Sequence, residues 1–185
     1  MSKTFFKEYF KFMQAGMESV NKDDLIVAAE TIQAVSQKGN KLIIAGNGGS
    51  AAMASHVSVD FTKAAGIRAV NFNEADLLTC FANDYGYEKV FEKSVEFYGD
   101  KGDLLILMSS SGTSENVLNA AKRAKKLDIE VITFSGFNSE NPLRQLGDLN
   151  FWVNSKAYNI VEMTHHIWLL AIVDYIIGDI EYPAS

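Results

Sequence analysis

Apolar positions recur at helical spacing over residues 4 to 37, as Phe5, Tyr9, Phe12, Met13 and Met17, then Leu25, Ala28, Ile32 and Val35. The polar stretch Asn21-Lys22-Asp23-Asp24 separates the two groups, so the pattern predicts two helices. After Lys38-Gly39-Asn40 the period changes. Leu42–Ala45, Arg68–Phe72, Leu104–Met108, Glu130–Phe134 and Leu149–Val153 are short, apolar and bounded by Gly, Asp or Asn, and they read as five strands. Helical patterns lie between most of them, over residues 50–65, 74–97 and 114–127, and a last one runs from about Tyr158 to Gly178. Alternation of strands and helices requires parallel crossovers, and strands that are apolar throughout belong to a sheet covered on both faces. The expected fold class is α/β, a doubly wound five-stranded parallel sheet flanked by helices, with a helical segment over residues 1–38 in front of it.

Composition narrows this picture. With 185 residues, 48% of them hydrophobic, the chain buries one substantial core, so a single domain over residues 1–185 is expected. There is no internal repeat or Pro-rich linker; Pro142 falls in a loop and Pro183 in the tail. Acidic residues outnumber basic ones by 23 to 17, and the densest basic cluster is Lys122-Arg123-Ala124-Lys125-Lys126, which argues against a general nucleic-acid binder. Cys80 is the one cysteine, so no intrachain disulfide forms; a reducing compartment and a buried, inert thiol are expected. The amphipathic start Met1–Phe10 lacks an apolar signal core, and no apolar run reads as long enough to span a bilayer. The expectation is a soluble cytoplasmic protein with no membrane partner.

In parallel α/β sheets ligands bind where strands end and helices begin. Two loops there carry unusual chemistry. Ala45-Gly46-Asn47-Gly48-Gly49-Ser50 follows the first strand, and its glycines permit backbone conformations and close approaches that a side chain would block, with Ser50 at the expected N-cap. Ser109-Ser110-Ser111-Gly112-Thr113-Ser114-Glu115-Asn116 follows the third, gathering hydroxyls and backbone N–H groups at a helix start. Unpaired donors and the positive end of the helix dipole favour an anion such as a phosphate monoester. Neither G-x-x-x-x-G-K-[ST] nor the dinucleotide glycine spacing is present, so no nucleotide cofactor is expected. Each loop taken singly also reads as an ordinary strand-to-helix turn with a capping hydroxyl.

Gly46–Ser50, His56-Val57-Ser58-Val59-Asp60, Phe81-Ala82-Asn83-Asp84-Tyr85-Gly86-Tyr87 and Ser109–Ser114 together resemble, in order and spacing, the sugar isomerase (SIS) domain of phosphoheptose isomerases. The resemblance covers nearly the whole chain. It implies a homotetramer with pockets shared between subunits, converting sedoheptulose 7-phosphate to D-glycero-heptopyranose 7-phosphate for surface-polysaccharide heptose synthesis. It also implies that Ser109, Ser111 and Ser114 hold the substrate phosphate, with Ser110 and Thr113 beside them. Asn47, Gly48 and Ser50 match sugar-contacting positions, and Asn83 and Asp84 match an Asn-Asp pair lining the same pocket.

A ketose–aldose isomerase removes a proton beside a carbonyl, stabilises an enediolate and returns the proton to the neighbouring carbon, which takes a base, an acid and an electrophile. The histidines are His56, His165 and His166. His56 and Asp60 are four residues apart on a predicted helix, and Glu162 and His166 repeat that spacing on the last one. The set His56, Asp60, Glu162 and His166 is a candidate zinc site if the two helices meet. The plainer alternatives are a surface hydrogen bond for the first pair and a satisfied core histidine within Met163–Trp168.

The chain departs from the resembled family in two places. Asp60 stands where phosphoheptose isomerases have a catalytic Glu. On the last helix those enzymes have a Gln and, eight residues on, a catalytic His; aligning Glu162 with the Gln puts Leu170 at the His position, and a one-residue shift puts Leu169 there. Either His165 or His166 takes over proton transfer beside Asp60, or the chain is a non-catalytic phosphosugar-binding or scaffold protein resembling the replication-initiator-associating paralogue of these isomerases. Intact hydroxyl loops and an acid at position 60 favour the enzyme. The aromatic and Met side chains of residues 1–38 are read as an oligomer interface. The short segment Thr62–Arg68 leaves open a ketose phosphate other than the heptulose.

Overall fold

The computed structural model describes residues 3–182, so Pro183 and the outermost ends of the expected domain lie outside the described residues. Helices α1 (Lys3–Glu18) and α2 (Lys22–Gln37) are divided at Asn21, whose side chain accepts the Asp23 N–H at 3.1 Å and caps α2, while Asp23 and Asp24 complement the helix dipole. α2 buries Ala28, Ala29, Ile32 and Val35; α1 buries Gly16 alone. A Cβ on Gly16 would lie 2.6 Å from Thr164 Oγ1, which is how closely α1 approaches the last helix.

The remaining elements alternate: β1 (Leu42–Gly46), α3 (Gly49–Lys63), β2 (Ala69–Asn71), α4 (Ala75–Tyr85), α5 (Val90–Tyr98), β3 (Leu104–Ser109), α6 (Glu115–Lys126), β4 (Glu130–Ser135), β5 (Leu149–Trp152) and α7 (Tyr158–Ile177). The sheet is parallel throughout, in the order β2-β1-β3-β4-β5. All five strands and the doubly wound class agree with the sequence reading. One expected helix, over 74–97, is two: Gly86 at φ +90° ends α4, and a 3₁₀ turn at Tyr87–Lys89 leads into α5.

Alternate strand residues supply the two faces. Leu42, Ile44, Leu104, Ile106, Met108, Ile132 and Phe134 pack under α2, α3 and α7, and Ile43, Ala45, Leu105, Leu107 and Val131 pack under α5 and α6. α7, 20 residues long and with an 18-residue window of mean hydropathy 1.4, is long and apolar enough to cross a membrane by length and composition, contrary to the sequence reading that no run qualifies. It is instead a core helix, with Ile160, Val161, Trp168, Leu169, Ile172 and Val173 buried against the sheet and its neighbours. Cys80 is exposed on α4, against the expectation of a buried thiol.

Candidate functional site

Chain order reverses between β1 and β3, so a crevice opens at their C-terminal ends. Both unusual loops lie there. The first turns so tightly that a Cβ on Gly46 would sit 2.6 Å from Ser50 Cβ and 2.8 Å from the Met108 carbonyl of β3. Gly48, at φ +56°, occupies the N-cap position that the sequence reading gave to Ser50; Ser50 is inside α3 and buried. In the second loop Ser109 and Ser114 hydroxyls meet at 3.1 Å, the Gly112 N–H donates to Ser109 Oγ at 3.2 Å, and Thr113 donates to Ser111 Oγ from its N–H at 3.3 Å and its hydroxyl at 3.0 Å.

A pocket of about 110 Å³ lies between the loops, lined by Asn47, Ser50, Met108, Ser109, Ser110, Ser111, Ser114, Tyr158 and Glu162. Ser110 Oγ is buried and meets no partner at full hydrogen-bond geometry, and it lies at the pocket wall beside the Glu162 carboxylate. Ser114 is the N-cap of α6 and its side chain does not close the cap, which leaves the helix terminus open to a ligand. Glu162 reaches the same pocket across Gly49, where a Cβ would overlap its carboxylate. Burial raises the Glu162 pKa, opposed by the Ser110 hydroxyl beside it.

The expected residues divide. Asn47, Ser50, Ser109, Ser110, Ser111 and Ser114 line the pocket; Gly48 and Thr113 belong to the loops and are exposed. Asn83 and Asp84 do not line it. They sit exposed in the last turn of α4, Asn83 Nδ2 donating to Asp84 Oδ1 at 2.8 Å, because Gly86 turns the chain only after them. Tyr87, just past that glycine, donates its hydroxyl to Asn47 Oδ1 at 2.9 Å. Tyr158, Tyr87 and Asn116 were missed by the sequence reading; Tyr158 stands one turn before Glu162 on the same face of α7, which was the available signal.

His165 is a correction. It is fully buried, its Nε2 2.9 Å from the Ser135 carbonyl and its ring packed near Phe134 and Trp168, and burial lowers its pKa to about 4. It does not line the serine pocket and is a core side chain. His166, one position on, faces α3, with its ring edge-on to His56 at 4.8 Å between centroids, and His56 Nε2 lies 3.2 Å from Asp60 Oδ2. Burial lowers the His166 pKa, the His56 charge adds to that, and Asp60 opposes it.

The four-residue zinc set is divided. Glu162 faces the serine pocket, His166 faces His56 and Asp60, and among the described residues no three His, Cys, Asp or Glu side chains form a metal-holding group. Asp60 lies ten residues beyond Ser50 on α3, about 15 Å along the helix axis. Within one subunit His56, Asp60 and His166 do not line the serine pocket, and on α7 the two lie one turn apart, Glu162 in the pocket and His166 in the cluster. Leu169, at one alignment of the absent catalytic His, is buried in the core, and Leu170 packs against it.

Residues 6–136 match the model of the SIS domain family. The chain is 34% identical over 176 residues to a phosphoheptose isomerase of Aliarcobacter butzleri, covering 92% of this chain and 88% of that protein. It is 32% identical over 176 residues to a phosphoheptose isomerase of Helicobacter pylori, covering 92% and 89%. Among solved structures, phosphoheptose isomerase GmhA from Neisseria gonorrhoeae superposes with a TM-score of 0.86 at 30% identity, over 94% of this chain and 96% of the other.

Proposed function

The chain belongs to the SIS domain family, and we propose that within it the protein is a phosphoheptose isomerase, interconverting sedoheptulose 7-phosphate and D-glycero-heptopyranose 7-phosphate. The observation that carries this reading is the pocket at the β1/β3 switch point, where the hydroxyls of Ser109, Ser110, Ser111 and Ser114 and the open N-terminus of α6 converge. Together with the near full-length similarity to phosphoheptose isomerases, these features suit a phosphate monoester. The scaffold reading is not favoured, since protein–protein contact has no use for such a pocket.

In this reading Ser109, Ser110, Ser111 and Ser114 hold the phosphate, with Thr113 orienting Ser111, and Asn47 and Ser50 meet the sugar. Asp60 and His166 share the proton transfers: one takes the proton from C1 of the ketose and returns it to C2 by way of an enediolate, and the other moves the hydroxyl proton from O1 to O2, so that the C2 carbonyl becomes a hydroxyl and C1 the aldehyde. Because Asp60 stands about 15 Å along α3 from Ser50, the pair serves a pocket completed when copies assemble. Exposed Phe5, Phe6, Phe10 and Phe12 on α1, each more than half accessible, support assembly of copies with these side chains covered, and in this reading the assembly is a cytoplasmic homotetramer. The zinc ion implied by the resemblance does not fit the four donors as they stand, since Glu162 points away from the other three. Proton transfer is accordingly assigned to side chains.

Proton NMR of the protein with sedoheptulose 7-phosphate in deuterated water tests this reading. Aldose signals and deuterium at C1 or C2 are expected, with Ser111→Ala raising KM about tenfold through loss of a hydrogen bond to a charged group. Absence of exchange by the wild-type protein would refute it.

A further inference from the structure

Asn47, on the wall of the pocket, is held by two side chains from outside its own loop. Asn47 and Asn116 face each other as a reciprocal carboxamide pair, each Nδ2 donating to the other's Oδ1 at 2.9 Å. Tyr87 donates its hydroxyl to the same Asn47 Oδ1, also at 2.9 Å. Asn116 is 2% exposed, and its Oδ1 accepts the backbone N–H of Val117 at 3.0 Å.

A carboxamide pair has two self-consistent orientations, related by flipping both groups. The Val117 N–H, which Asn116 Oδ1 shares with the Ser114 carbonyl at 3.0 Å, disfavours one of them, because a flipped Asn116 would set its amide N–H donors against another donor. That fixes Asn116 Oδ1, and the pairing then fixes Asn47, nitrogen toward Asn116 Oδ1 and oxygen toward Asn116 Nδ2. Tyr87 meets an oxygen and has to donate. Asn47 Oδ1 thus accepts two hydrogen bonds, which fills its lone pairs, and one of its two amide hydrogens is used. What remains for a ligand is one N–H.

The same face of α6 holds both partners in place. Asn119, three residues after Asn116, donates from Nδ2 to the Glu88 carbonyl at 2.9 Å and so fastens the turn that carries Tyr87. Gly86 makes that turn possible, at φ +90° with Glu88 carboxylate oxygens 2.6 Å from where a Cβ would be.

We propose that Asn116 and Tyr87 are positioning residues that make Asn47 a donor only, so that at this point the pocket recognises an electron-rich oxygen and takes no hydrogen bond from a sugar hydroxyl. The proposal rests on the pocket being the sugar-phosphate site. Both a phosphate oxygen and the oxyanion of an enediolate have the required chemistry, and inorganic phosphate and sedoheptulose 7-phosphate distinguish them as ligands.

The test follows the two Asn47 side-chain amide protons by nitrogen-15 NMR while either ligand is added, alongside steady-state kinetics. One proton is expected to shift on binding and the other, held by Asn116, to stay; a response to inorganic phosphate assigns the phosphate oxygen, and a response to the sugar phosphate alone assigns an oxygen of the sugar, where the oxyanion would develop. Tyr87→Phe is expected to lose about threefold to tenfold in kcat/KM with an unchanged melting temperature, and Asn47→Asp, isosteric but without the donor, about tenfold or more. Equal shifts of both protons, a shift of neither with both ligands, or a Tyr87→Phe enzyme with wild-type kcat/KM would overturn the proposal. If the wild-type protein turns over no sedoheptulose 7-phosphate, the isomerase reading fails, and the amide response to inorganic phosphate decides this one: a shift of a single proton supports it, and any other response overturns it.

Discussion

Lowering the pH should destabilise the fold through one buried side chain, His165. Its imidazole titrates near its ordinary value of 6.5 in the unfolded chain and at about 4 in the fold, because burial penalises the cation. Between those values the unfolded state binds a proton that the native state does not, so stability rises with pH across that window. The His165 contribution is therefore complete above pH 6.5, falls as the pH drops, and levels off below about 4, a total of about 3 kcal/mol. His166, also lowered by burial, acts in the same direction. Replacing His165 by Leu removes the titration at modest structural cost, since the Ser135 carbonyl keeps the Val153 N–H at 2.9 Å and the partnerless His165 Nδ1 disappears. Urea unfolding of wild type and His165→Leu at fixed protein concentration, at pH 7.5, 6.5, 5.5 and 4.5, gives the difference directly. The wild type should lose about 2 kcal/mol more than the variant between pH 6.5 and 5, and the variant should keep its isomerase activity. Parallel pH profiles would refute the placement of His165, and loss of turnover in a folded variant would return it to the catalytic set.

Two further substitutions test the framework around the pocket. Gly112→Ala should lower stability by about 2 kcal/mol and weaken phosphate binding, because φ +66° disfavours any side chain and a Cβ would overlap the buried Asn141 carboxamide; denaturant midpoints and phosphate titration check both. Asp103 lies at the opposite end of the sheet, accepting Lys41 Nζ at 2.6 Å and the N–H groups of Lys41 and Asp100 at 3.0 and 2.8 Å. Burial acts to raise its pKa, but these donors hold it below the ordinary value of 3.8. Asp103→Asn should cost about 2 kcal/mol by urea unfolding while leaving KM unchanged, since the site is remote from β1 and β3 C-termini.

How much of this was legible in the sequence depended on whether a function followed from local pattern or from rotation about a helix. The five strands, the crossovers and both loops are local: runs such as Leu104–Met108 bounded by Asp103 and Ser109 need no tertiary knowledge. The serine pocket followed from them, because strand ends at a switch point are where such sheets place ligands. Residues that act through another side chain were not legible: nothing near Tyr87 in the chain announces a hydroxyl that closes on Asn47, forty residues earlier. The last helix shows the sharper limit. α7 is apolar nearly all round, so its hydrophobic pattern carries little information about which face is inward. Adjacent helical residues point about 100° apart, and that angle separates His165, sealed beneath β4, from His166, set against His56 on α3. Glu162, one turn earlier on roughly the His166 side, is drawn instead into the serine pocket because Gly49 leaves room for its carboxylate. A spacing of four placed Glu162 and His166 on one face, yet α3 offers that face a glycine at one level and a histidine at the next, so the two side chains have different partners. The zinc cage inferred from paired spacings required both helices to present matched donors at one level, and only the helix–helix contact decides that.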